Sequence, residues 1–253
     1  MDDNKLLVKV LTGSRAHSLA NEDSDYDYRG VYIVPTHKIV SLGYKYKGTH
    51  WQEGKDDDTS YELGHFLHLA TKCNPTILEI FMAPVVEESE ETWRLREIFK
   101  HAWNPKDSFN AFVGYGHNQR KKFLDKKDDR PHKYASAYLR VLYQLCQLLE
   151  HGVFDVDFKD TPIYERLKLW KGGYFGWGEV IDQTRYWSDR AEALLVHAKN
   201  PHHNIDKVNG YLIDMRRKYW KLKDKEQEYE YKPSFISRIF KAKTKFYGKT
   251  KGE

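Results

Sequence analysis

Two neighbouring stretches decide how this chain is read: Gly13-Ser14-Arg15-Ala16-His17-Ser18-Leu19-Ala20, and Asp23-Ser24-Asp25-Tyr26-Asp27-Tyr28-Arg29-Gly30-Val31-Tyr32. Ahead of them, residues 5–12 (Lys-Leu-Leu-Val-Lys-Val-Leu-Thr) form an apolar run of strand length. The Gly-Ser pair breaks that run, and residues 15–21 suit one or two helical turns. Residues 26–34 read as a second strand, stopped by Pro35. Strand side chains alternate faces, so Asp25 and Asp27 are expected to point the same way, roughly 6.6 Å apart along the backbone. Two carboxylates so placed can share a pair of divalent cations, and two metals about 3.5–4 Å apart clamp the attacking and leaving oxygens of a phosphoryl transfer. Mg²⁺ takes few carboxylates plus water and phosphate oxygens, which fits such a donor set. A Gly-Ser turn opening a helix offers free backbone N–H groups to a triphosphate, and glycine lets the backbone approach it.

Working outward, residues 38–51 suit another strand or an extended loop, and residues 56–60 a third short strand. A helix is expected over 61–72, with Leu63, Phe66, Leu67 and Ala70 at helical spacing. Asn74-Pro75 stops it and starts another over 76–82. A further helix spans 90–102. Beyond residue 104 strand signals vanish. Helices are expected over 107–126, 132–150, 187–198 and 206–220. Tyr138, Val141, Leu142, Leu145 and Leu149 form the stripe of the second, and Gly152 lies just past its end. The expected class is α+β, with a small mixed sheet followed by an all-helical region. The expected domains are 1–103, 104–220 and a basic tail, 221–253.

Composition is that of a globular protein: 253 residues, 40% hydrophobic and 31% charged. No apolar run approaches the roughly 18 residues of a membrane span. The acidic N-terminus (Met1-Asp2-Asp3-Asn4-Lys5) lacks a signal-peptide pattern, and Cys73 and Cys146 show no Cys-x-x-Cys spacing. A reduced, cytoplasmic protein is the simplest expectation. Net charge is +5, from 42 Lys and Arg against 37 Asp and Glu, which permits a polyanionic partner without requiring one. Residues 231–253 hold seven of those cations (Lys232, Arg238, Lys241, Lys243, Lys245, Lys249, Lys251) against Glu253. Aromatic residues make up 15% of the chain; single rings are expected to build the helical core, although such faces also stack bases.

The Gly13-to-Ala20 and Asp23-to-Tyr32 stretches resemble the signature of the DNA polymerase β-like nucleotidyltransferases. More narrowly, they resemble the predicted nucleotidyltransferases of bacteria and phages associated with RNA ligases and RNA repair. Asp58-Thr59-Ser60-Tyr61-Glu62-Leu63, Asn74-Pro75-Thr76-Ile77-Leu78-Glu79, Gly114-Tyr115-Gly116-His117-Asn118-Gln119-Arg120-Lys121-Lys122 and Tyr138-Leu139-Arg140 resemble later blocks of that family. Ser18 stands where the family commonly has glycine.

The resemblance implies two Mg²⁺ (or Mn²⁺) ions on Asp25 and Asp27, and a third carboxylate from a neighbouring strand. Asp58 is the candidate for that third place, with Asp57, Asp56 and Glu62 as alternatives. It implies nucleotide contacts from Gly13, Ser14, Arg15, Arg29, Gln119, Lys122 and Arg140, although Arg140 could equally pair with a core carboxylate such as Glu150. The implied reaction moves a nucleoside monophosphate from an NTP to a hydroxyl, with an RNA or tRNA end as acceptor. A protein or small-molecule acceptor, as in adenylylation of a toxin, and an inactive nucleotide- or RNA-binding module are the competing expectations.

Other motifs fail. Asp23-x-Asp25-x-Asp27 begins like a calcium loop, but Tyr28 and Val34 occupy the positions that need Gly and Glu. Gly43 to Gly48 has P-loop spacing but is followed by Thr49-His50. Gly114-Tyr115-Gly116 lacks both the third glycine and a preceding strand. His65 with His68, and His202-His203, have no companion ligands at zinc spacing.

Overall fold

The computed structural model describes residues 4–45, 47–52 and 57–220. The chain forms two units, Met1–Leu222 and Lys223–Glu253; the described residues all belong to the first, so the expected basic tail lies outside them.

Strand β1 (Lys5–Thr12) runs into a four-residue helical turn, α1 (Gly13–Ala16), and the chain returns as β2 (Asp27–Ile33). A second short turn, α2 (Thr36–Ile39), leads to β3 (Thr49–Gln52), β4 (Asp57–Glu62), α3 (Leu63–Thr71), α4 (Pro75–Met82) and β5 (Val85–Glu88). The rest is helical: α5 (Thr92–Glu97), α6 (Phe99–Ala102), α7 (Pro105–Leu124), α8 (Pro131–His151), α9 (Tyr164–Lys171), α10 (Trp177–Leu195) and α11 (Ile205–Lys218). Among the described residues the strands form one five-stranded mixed sheet in the order β3-β4-β2-β1-β5. β1 pairs antiparallel with β2 and β5, β2 parallel with β4, and β3 antiparallel with β4. This is the expected α+β class.

Local chemistry sets the element ends. The Asn74 carboxamide accepts from Thr76 N (3.0 Å) ahead of Pro75. Asn104 does the same for α7, accepting from Asp107 N (2.9 Å) ahead of Pro105, and Asn204 accepts from Lys207 N (3.0 Å) at α11. An N-cap oxygen with proline in the first turn satisfies or removes donors that a helix start leaves bare. α8 ends at Gly152, whose φ of 68° suits the left-handed cap, and the predicted stripe Tyr138, Val141, Leu142, Leu145 and Leu149 is buried throughout.

Several elements differ from expectation: the sequence reading lacks α2, and the helix expected over 90–102 is two, α5 and α6. β5 and α9 are absent from the sequence reading, and α10 begins ten residues ahead of the expected 187. β5 is only Val-Val-Glu-Glu, too short to alternate, and all of it is exposed at the sheet edge. α9 is Tyr-Glu-Arg-Leu-Lys-Leu-Trp-Lys, with only Leu167 and Trp170 buried, so its apolar stripe is one residue wide.

The change from sheet to helices near residue 103 falls inside one packed unit. A continuous core runs from Val8, Val10 and Val31 on the sheet through Phe66, Phe81, Phe99, Phe112 and Phe154 to Trp170, Val180 and Met215. The abundant aromatic rings largely build this core: Phe66–Phe81 (4.8 Å between centroids), Phe81–Phe99 (5.9 Å) and Phe112–Phe154 (6.0 Å) form a continuous seam.

Candidate active site

β1 delivers Thr12 to the end of the sheet, and α1 turns the chain there. Gly13 has φ of +68°, and a β-carbon on it would stand 1.9 Å from Asp27 Oδ2. Glycine is therefore required twice over, by backbone conformation and by the carboxylate packed against it. Thr12 is the register partner of Asp27, and its hydroxyl donates to the Asp27 carbonyl (3.2 Å). Two segments fourteen residues apart in sequence thus meet as a Gly-Ser turn and an acidic strand end.

β2 begins at Asp27, so Asp25 lies on the exposed loop ahead of the strand rather than within it. That loop is a tight turn: Ser24 Oγ accepts from Asn21 N (3.0 Å) and donates to Asn21 Oδ1 (2.6 Å). Arg15 ties it to α1, donating through Nε (3.1 Å) and Nη2 (2.7 Å) to Ser24 O, with its guanidinium 3.9 Å from the Tyr26 ring centroid. Arg15 therefore shapes the loop that carries Asp25.

Asp58, the expected third carboxylate, does not share the register position of Asp27. β4 sets Asp58 in register with Tyr28, one position out of phase with Asp27. Its carboxylate pairs with Lys9 Nζ at 2.6 Å, and that same ammonium lies 4.9 Å from the Tyr28 ring centroid. Alternation thus turns Asp58 to the sheet face opposite Asp27, where it lines a groove with Lys9, Tyr32, His50 and Ser60. The register partner of Asp27 is Asp57. Glu62 is fully buried, caps α3 through Gly64 N (2.7 Å) and pairs with Arg216 Nη2 (2.7 Å), so it is structural. Asp56 lies outside the described residues.

The predicted nucleotide contacts divide. Gly13, Ser14, Arg15 and Arg29 belong to the turn and strand that meet at Asp27; Arg29 follows Asp27 by two positions, on the same face of β2. Arg140 is engaged in the core instead: its Nη1 lies 3.5 Å from Glu79 Oε2, and Glu150 pairs with Arg190 (2.6 Å) rather than with Arg140. Gln119 is buried in α7, and Lys122 Nζ lies 5.5 Å from the Tyr134 ring centroid. The structure brings neither into bonding contact with the Gly13–Asp27 site.

Two groups enter the site region that the sequence reading missed. Lys171, the last residue of α9, donates from Nζ to Leu19 O (2.6 Å). Burial holds its ammonium below its ordinary pKa, the nearby Asp27 carboxylate opposes that, and Arg15 and Lys133 add to the lowering. Nothing local marks it, because the contact spans 152 residues of sequence. Glu79 is the second: its carboxylate accepts from the His17 ring (Nε2–Oε1 2.8 Å) directly beneath α1. Here a signal existed, a lone acid inside the apolar run Pro-Thr-Ile-Leu-Glu-Ile-Phe-Met.

A mixed sheet that brings a Gly-Ser turn against a strand-end aspartate is the arrangement that the resemblance to polymerase β-like nucleotidyltransferases implies. Residues 2–162 match the family model RlaP, described as the RNA repair pathway DNA polymerase beta family, and the chain belongs to that family. It is 28% identical over 168 residues to the uncharacterized protein YcgL of Bacillus subtilis (strain 168), an alignment covering 61% of this chain and 60% of that protein. The chain therefore spans about 60% of the length of this relative. A solved nucleotidyltransferase-like protein from Exiguobacterium sibiricum 255-15 aligns over 97% of this chain and 83% of its own, at 13% identity and a TM-score of 0.27.

Proposed function

We propose that this chain transfers a nucleoside monophosphate from an NTP to a hydroxyl on RNA, a tRNA end among the candidate acceptors. The observation that carries this reading is the Asp27 carboxylate packed on Gly13, where the missing side chain lets an acid lie against the backbone of the turn. The donor set fits a hard cation: Asp25 and Asp27 supply carboxylate oxygens, and Mg²⁺ is satisfied by few carboxylates when phosphate oxygens and water complete its shell. Among the described residues no cluster of three His, Cys, Asp or Glu ligands forms, and the backbone register partner of Asp27 on β4 is Asp57. Bound there, Mg²⁺ or Mn²⁺ would neutralise charge on the phosphates.

The chain's own residues then have distinct parts. The Gly13-Ser14 backbone holds the β and γ phosphates, and Arg15 keeps the Asp25 loop in place. Lys171 sets a positive charge on the Asp27 side of the turn. The acceptor oxygen bonds to the α-phosphorus, the bond from that phosphorus to the bridging oxygen breaks, and pyrophosphate leaves. The hydroxyl proton passes to water. Most of the acceleration comes from positioning and fixed electrostatics.

The test uses full-length protein, Mg²⁺ or Mn²⁺, each labelled NTP in turn, and total RNA or lysate protein as acceptor. The D25N/D27N double variant is the control. Label entering RNA and lost in the variant supports the reading and names the base. Variant-sensitive label in protein replaces the acceptor class, and NTP binding without variant-sensitive transfer replaces the enzyme with a binding module.

A further inference from the structure

Glu79 is an acid inside an apolar helix, 6% exposed, and it reaches three separate parts of the molecule. Its Oε1 lies 2.8 Å from His17 Nε2 and its Oε2 lies 3.5 Å from Arg140 Nη1. Arg29 adds a further positive charge within electrostatic reach. Burial alone would raise the Glu79 carboxyl; the His17 ring and its hydrogen bond, then Arg140 and Arg29, outweigh that and hold it down to about 2. A buried carboxylate survives as an ion only when it is paired and hydrogen-bonded in this way.

Each partner belongs to a different active-site support. His17 closes α1, donating its backbone N–H to Gly13 O (3.1 Å), so the position of its ring and that of the Gly-Ser turn are linked. Phe158 holds the other side of that ring edge-on, with centroids 5.7 Å apart. Arg29 follows Asp27 on the same face of β2. Arg140 rises from the long helix α8 and donates to Gln144 Oε1 (3.4 Å), and Gln144 Nε2 donates to Asp155 O (2.7 Å). One carboxylate therefore joins the turn to the helical layer, with the Arg29 charge of the acidic strand in electrostatic reach.

We propose that Glu79 is a positioning residue whose charge fixes the Gly13–His17 turn against β2 and α8, and so sets the geometry of phosphoryl transfer. The kinetic half of this statement rests on the function proposed above; the conformational half does not. An ion cluster that merely filled space could be exchanged for apolar side chains without consequence, since buried ion clusters are often replaced by hydrophobic ones at no loss of stability.

The decisive variant is H17L/E79M/R140M in the full chain, with E79Q beside it to supply the same comparison should the triple variant melt early. The first readout is hydrogen exchange over residues 13–17, with thermal melting as the control for global stability. Exchange at least about tenfold faster than wild type, with an unchanged melting temperature, is the expected result; unchanged exchange in a stable variant overturns the proposal. The second readout is steady-state kinetics. A misplacement of about 1 Å costs roughly 10²-fold, so kcat is expected to fall by about that factor while KM for the NTP moves little. Native kcat in a stable variant also overturns the proposal. Wild-type protein without Asp27-dependent transfer would sink the function proposed above and leave the exchange experiment to decide Glu79.

Discussion

At the scale of single residues, the two faces of the sheet separate roles that adjacent acids would otherwise share. Asp27 sits against Gly13, whereas Asp58 is engaged by Lys9 across the sheet. D27N is expected to lower transfer by at least about 10²-fold, the scale of losing one preorganised electrostatic group, without lowering the melting temperature. D58N is expected to retain activity within about threefold of wild type. Equal losses in the two variants would show that the faces were assigned wrongly. Ser18 makes a second residue-level case. Its φ is 57°, in the region that favours glycine, and its hydroxyl bonds the Asp157 carboxylate. A left-handed non-glycine residue costs about 1 kcal/mol or more, and a hydrogen bond returns about 0.5–1.5 kcal/mol. S18G relieves the strain and loses the bond, so its melting temperature should stay near wild type. S18A keeps the strain and loses the bond, and should melt about 2–4 °C lower. Thermal melts of both variants check the order.

At the scale of elements, the link between α1, α4 and α8 is ionic and so answers to pH. Burial, then the Arg140 charge, hold the His17 ring below its ordinary 6.5, while Glu79 is held down from 4.5 to about 2. In both cases the unfolded chain binds a proton at a higher pH than the folded chain does. The stabilisation is therefore complete above 6.5. It is lost as pH falls, first through His17 below 6.5 and then through Glu79 between 4.5 and about 2. The urea midpoint should drop between pH 7 and pH 4, and the H17L/E79M/R140M variant should show a flatter profile over that range. Parallel profiles would mean that other groups govern acid unfolding.

At the scale of the whole molecule, the family match ends at residue 162 but the core does not. Leu167, Trp170, Val180 and Met215 are each at most 1% exposed, and Arg216 supplies the 2.7 Å partner of the fully buried Glu62. Full burial of such apolar side chains stabilises by about 1.5–3 kcal/mol each, a sum comparable to the whole stability of a typical domain. A chain ending at residue 162 is expected to lose cooperative unfolding and to aggregate. A sharp thermal transition by circular dichroism in that shortened chain would refute the single-core description. The site depends on the same region, because Tyr164 donates to Ser18 O (3.1 Å) and Lys171 to Leu19 O (2.6 Å).

What the sequence by itself determined is local. Gly13-Ser14 at a strand end, Asp27 opening the next strand, the capped start at Asn74-Pro75 and the stripe of α8 all follow from chemistry within a few residues. Each appears in the structure where the pattern puts it. The tertiary structure decided whatever depends on register or long contacts. A shift of one residue in β4 moves a side chain to the other side of the sheet, so separating Asp58 from the face of Asp27 needed the pairing of β2 with β4. Arg140 and Glu79 meet across 61 positions, and Lys171 reaches Leu19 across 152. Such partners carry no periodic signal in the chain, because their pairing is set by which helices pack together and not by the spacing of the residues themselves.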